Sequence, residues 1–181
     1  MVEITFMLII QRCLCCWDMV VLYIKYGKYV TALGFGAKGC ASPYDVRLGY
    51  KSPDGYGYAI WTFIIQCSVL KDDTSNTIGV SAWLYTLTGI HMVLGFASNA
   101  VVATTDFPEL AYRLTGTGGY PKERIQDAFF HTFVKYDNIH RTNVARILAE
   151  NAYVADNDFI DYFNRYTDVD NIKLIITAYI P

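Results

Sequence analysis

The sequence predicts an α/β domain, a three-layer arrangement in which a mostly parallel sheet carries helices on both faces. Three observations point to it. The runs "AIWTFIIQC" (59–67) and "IHMVLGF" (90–96) are apolar almost throughout instead of alternating, the pattern of strands covered on both sides. Between and after them come segments at helical spacing, the clearest being Ile125, Ala128, Phe129 and Phe133. Finally, 53% hydrophobic and 15% aromatic residues in a chain of 181 suit one core-bearing domain, residues 1–181, and exclude a disordered chain.

Taken in order, "DMVVLYIKY" (18–26) is β-branched and aromatic and reads as a strand. Residues 34–57 are dense in glycine and include Pro43 and Pro53, which predicts a long irregular connection. After the strand 59–67, "KDDTSN" (71–76) is a polar loop, and "VSAWLYTLTG" (80–89) is a short helix stopped by Gly89. "TDFPELAYRLTG" (105–116) is a helix with Asp106 as its cap and glycine at its end. "YPKERIQDAFFHTFVKY" (120–136) is a helix with Pro121 in its first turn, and "HRTNVARILAENA" (140–152) reads as another. "IKLIITAYI" (172–180) closes the chain as a strand.

Charge and motif content narrow the function classes. A net charge of −2 provides no basic field for nucleic acid. "ITFMLII" (4–10) and "MVVLYI" (19–24) fall far short of the ~20 apolar residues that a spanning helix needs. Glu3 stands where a secretory leader would be positive, so the chain reads as soluble and cytoplasmic, or as secreted if a leader is missing from its start. Five cysteines, Cys13, Cys15, Cys16, Cys40 and Cys67, are an odd set that argues against a disulfide framework. "CLCC" has no second cysteine pair or nearby histidine to complete a metal site, so no metal is expected. "GFGAKG" (34–39) satisfies a dinucleotide pattern literally, but "CASPYDVRLGY" follows it instead of a helix, so a turn is expected and no cofactor.

Cys67 is the candidate nucleophile, because ligands and reactive groups of parallel α/β sheets gather beyond the carboxyl ends of the strands. An unassisted thiol, with a reference pKa of ~8.5, is only a few per cent ionised at pH 7, so a base is required. The candidates are His91, His131 and His140. His91 lies at the start of its strand and Cys67 at the end of its own, which puts them on opposite rims. His91 therefore reads as a buried histidine bonded to backbone. His131, in a helix, and His140, in a polar turn, show no partner. Asp156, Asp158 and Asp161 form an acidic cluster without the glycine and glutamate of a calcium loop, and read as capping and solvation of a helix start.

"WTFIIQCSVL" followed by "AWLYTLTGIHMVLGFAS" resembles an uncharacterised prokaryotic family related to the caspase–gingipain (clan CD) cysteine-peptidase fold. The segment Gly89–Phe96 carries the resemblance best, with "DVRLG" (45–49) and "RIQDAFFHTF" fitting its layout; it covers roughly residues 18–160. It implies a caspase-like fold with Cys67 as nucleophile and a His-Gly pair ending the preceding strand. The matching strand "MVVLYI" instead runs into "KYGKY" (25–29), where Gly27 is flanked by Tyr26 and Lys28. It also implies a strand and a helix ahead of that position, for which residues 1–17 are too short; a truncated or degenerated copy accounts for both shortages.

Two functions follow. One is a non-catalytic caspase-like module that has lost its base. The other is a cysteine hydrolase, peptidase-like, with Cys67 as nucleophile and His91 the remaining, badly placed base. A protein or peptide partner fits the abundance of tyrosine, with "GYKSPDGYGY" (49–58) as a recognition loop.

Overall fold

The computed structural model describes residues 5–10, 21–25, 28–34, 40–41, 43–44, 59–84, 90–162 and 174–179. A five-stranded sheet runs in the order β1 (Thr5–Ile10), β5 (Ala59–Ile65), β7 (Met92–Phe96), β8 (Val144–Ala149), β9 (Leu174–Tyr179). The first three are parallel, while β8 and β9 each run antiparallel to their neighbour. A smaller sheet joins β2 (Val21–Lys25), β3 (Lys28–Gly34), β4 (Cys40–Ala41) and β6 (Thr77–Ile78). The chain is thus a mixed α/β fold.

The central strands obey the period of two. Trp61, Phe63 and Ile65 of β5, Met92, Leu94 and Phe96 of β7, and Ala145, Ile147 and Ala149 of β8 enter one buried cluster. Helices α2 (Asp106–Thr115), α3 (Ile125–Phe133) and α4 (Ala152–Asn157) close that cluster with Leu110, Leu114, Phe129, Phe133 and Val154. Phe96 packs against Phe129 and Phe133 with ring centroids 5.7 and 5.6 Å away. On the opposite face Ile64, Val93 and Leu148 meet Val69, Leu70, Ile90 and, from α1 (Val80–Leu84), Val80 and Trp83. Both faces of β5 and β7 are covered, as their apolar runs predict.

Several expectations are corrected. Residues 144–149 form β8, not part of a helix over 140–152. Ala, Leu and Arg are good helix formers, but pairing with β7 on one side and β9 on the other outweighs that local preference. The helix begins only after Asn151, whose side chain accepts the Val154 N–H at 2.9 Å. With β8 a strand, the large sheet has as many antiparallel junctions as parallel ones, so it is not mostly parallel. The strand within 18–26 does not flank the cysteine strand: β2 pairs with β3 as a hairpin, and β5 lies between β1 and β7. Helix α3 starts at Ile125, leaving Pro121 ahead of it, and the N-cap of α2 is Thr105, with Asp106 inside the first turn.

The readings of "CLCC", of the Tyr26–Gly27 pair, of residues 35–39 and of the loop 49–58 lie outside the described residues.

Candidate functional site

The β5 strand ends at Ile65, and Cys67 stands just past it on the carboxyl rim of the parallel strands. The chain turns sharply there because Ser68 takes a left-handed conformation (φ 50°), uncommon for a residue with a side chain. The turn bonds back to the end of β7 and to the connection after it, with Leu70 N–H on the Phe96 carbonyl at 2.9 Å and Ser68 N–H on that of Ser98 at 2.6 Å. Val69 and Leu70 come to lie over Gly95, where a Cβ would stand 2.9 Å from Val69 Cγ1. Cys67 itself is half-buried against the larger core cluster, and its Sγ accepts the Ala100 N–H at 3.3 Å.

His91 sits at the other rim. Its N–H donates to the Ile60 carbonyl at 2.8 Å, and Met92 is in register with Trp61. From Ile60 to Cys67 a strand rise of ~3.3 Å per residue separates the two rims by roughly 20 Å. The structure therefore does not bring His91 and Cys67 together. The ring of His91 is not held by backbone at Nδ1, as the sequence suggested; that nitrogen faces Asp158 Oδ2 at 2.7 Å. The same oxygen accepts the indole N–H of Trp61 at 2.8 Å.

Asp158, expected to be solvated, is 1% exposed and belongs to the core of the amino rim. It is the C-cap of α4, and its carbonyl accepts the Ile125 N–H at 2.9 Å, which fastens α3 to the same point. Glu150, not singled out from the sequence, is equally buried there, its N–H on the His91 carbonyl at 3.0 Å. Trp61 carried the one sequence signal for this cluster: an indole buried in mid-sheet demands an acceptor. Asp156 remains near the surface, accepting from Gln126 at 3.1 Å, and Asp161 pairs with Lys122.

His140 is also corrected. It is 1% exposed and lies between two carboxylates, with Nε2 2.6 Å from Asp106 Oδ2 and Nδ1 2.9 Å from Asp137 Oδ2. Both ring nitrogens are thus engaged by carboxyl oxygens, which hold the ring in one orientation. Asp137 is pulled from an ordinary 3.8 down to about 2, first by the His140 backbone amide and then by its ring. Lys135 lies 3.4 Å from Asp106 and 2.7 Å from Glu109, and Arg113 joins Glu109 to Glu123. Burial pushes the Glu109 carboxyl up, but the hydrogen bonds from Lys135 and Arg113 outweigh it and leave it lowered. Glu123 then accepts from His131 Nδ1 at 2.9 Å, so His131 has a partner as well.

Each of the three imidazoles thus has a carboxylate beside it, and the thiol at the carboxyl rim accepts the Ala100 amide. Among the described residues no group of three or more His, Cys, Asp or Glu could hold a metal ion, and no helix is long and apolar enough to cross a membrane.

No protein-family model matches the chain, and no solved structure does. An uncharacterized protein of Archaeoglobus fulgidus is similar to it, 55% identical over 161 residues. That match takes in 89% of this chain and 59% of the relative, so the chain spans less than two thirds of the relative's length.

Proposed function

We propose that this chain is a non-catalytic α/β module of caspase-like type, with a cysteine at the usual rim and without the upstream histidine of the dyad, since no histidine precedes His91. One observation carries the reading: His91 lies at the rim opposite Cys67, both ring nitrogens of His140 are engaged by Asp106 and Asp137, and the exposed ring of His131 is bonded to Glu123. Its ligand is a peptide or protein, for which exposed Tyr136, Tyr153 and Tyr162 supply rigid contact area.

A cysteine hydrolase with Cys67 as nucleophile is the second reading, favoured by the rim position of the sulfur and by the amide donated to it. Alkylation of Cys67, followed by peptide mass spectrometry from pH 6 to 7, separates the two. The non-catalytic reading expects a rate that rises about tenfold over that unit, as for a thiol that must lose its own proton. A rate independent of pH, together with peptide hydrolysis that Cys67→Ala abolishes, establishes the hydrolase.

A further inference from the structure

The connection from β7 to α2, residues 97–105, has no helix or strand of its own. It leaves the end of β7, passes Cys67 at Ala100 and descends into Asp106. Its bonds to the rest of the molecule are concentrated on one neighbouring turn. Ala97 N–H donates to the Val144 carbonyl at 2.8 Å, and Ser98 Oγ lies between the Thr142 carbonyl and the Val144 amide, at 3.1 and 2.7 Å. Asn143, 1% exposed, grips both backbone groups of one residue: its Oδ1 accepts from Val101 N–H at 3.0 Å and its Nδ2 donates to the Val101 carbonyl at 2.8 Å. The same amide nitrogen also reaches the Phe133 carbonyl at 3.0 Å. Farther along, Ala103 N–H and His140 Nε2 share Asp106 Oδ2, both at 2.6 Å.

We propose that residues 97–105 are a strap over the Cys67 thiol, latched by the side chains of Asn143 and His140, and that it opens as a unit to expose the sulfur without unfolding the sheet. Backbone groups of an irregular segment are the weakest part of a buried rim, so local opening starts there. Beyond Ser98, which is tied to Ser68, Thr142 and Val144, they depend on Asn143 directly and on His140 through Asp106. Ala100, between the Ser98 and Val101 anchor points, is 6% exposed and places its amide on the sulfur. Asn143 and His140 are positioning residues; neither is bonded to the thiol in this arrangement. The inference goes beyond the proposed function and does not depend on whether Cys67 does chemistry.

Alkylation of Cys67 by iodoacetamide at fixed pH, quantified by peptide mass spectrometry over low concentrations of urea, tests the strap. In the native chain a urea-independent rate is expected, since local opening exposes little surface. Asn143→Ala, which gives up three hydrogen bonds, and His140→Gln, which gives up at least one, each speed that rate about tenfold or more, while amide exchange of Val93 and Leu94 in β7 changes only with global stability. The native chain alone provides a second reading: Ala100 and Val101 amides exchange faster than those of Val93 and Leu94, with the same opening equilibrium as the labelling. Labelling that follows the urea slope of complete unfolding, variants that label like the native chain, or Ala100 and Val101 amides that exchange only together with β7 would each overturn the strap.

Discussion

The two rims of the central strands are closed by opposite arrangements. At the amino rim one carboxylate, Asp158, serves two rings, Trp61 and His91. At the carboxyl rim one ring, His140, serves two carboxylates, Asp106 and Asp137. The first concentrates its cost in a single acidic group 1% exposed, whose loss removes an acceptor from both rings at once. The second spreads its charge: Lys135 stands beside Asp106, and Asp137 reaches solvent with 40% of its side chain exposed. The difference teaches where rigidity and where motion belong. Asp158 fixes helix ends to the sheet from within, whereas the equally buried His140–Asp106 pair is connected to solvent through Asp137.

Asp158→Ala makes the sharpest break. It removes the acceptor of two buried donors and is expected to lower unfolding free energy by about 3–5 kcal/mol in urea titration; a loss under ~1 kcal/mol would show that the amino rim is not held by this carboxylate. Next comes Gly95→Ala. The added methyl meets Val69 and Leu70 at 2.9 and 3.1 Å, so a cost of about 1–3 kcal/mol is expected, with the turn after Cys67 displaced. The smallest effect belongs to the carboxyl rim and to acid. Because the folded-state pKa of Asp137 is lowered from 3.8 to about 2, its contribution is complete above pH 4 and is lost as pH falls toward 2. Asp137→Asn should flatten the slope of stability against pH across that window and leave stability near pH 7 reduced by less than either other variant. An unchanged acid slope would contradict the relay.

Local pattern made part of this legible. Strands β5, β7 and β9 and helix α2 follow from their apolar runs and stops, because each pattern is set by neighbours within a few residues. Strand β8 was not legible: "VARILA" is as suitable for a helix as for a strand, and only its position between β7 and β9 decides. The opposed rims of Cys67 and His91 could be read from strand polarity alone. The partners of the histidines could not, since Asp158 is distinguished from Asp156 and Asp161 by where α4 ends against the sheet, not by any feature of its own segment. His140 looked like a residue of a polar turn because the carboxylate that buries it, Asp106, arrives from another helix.

The bond from Trp61 to Asp158 joins positions 97 residues apart in the chain. Closing so long a loop is entropically slow and gains nothing until both ends are in place. Docking of Asp158 onto the indole is therefore expected late in refolding: with Trp17 and Trp83 replaced by Phe, the emission of Trp61 should keep changing after the signals from secondary structure have levelled off.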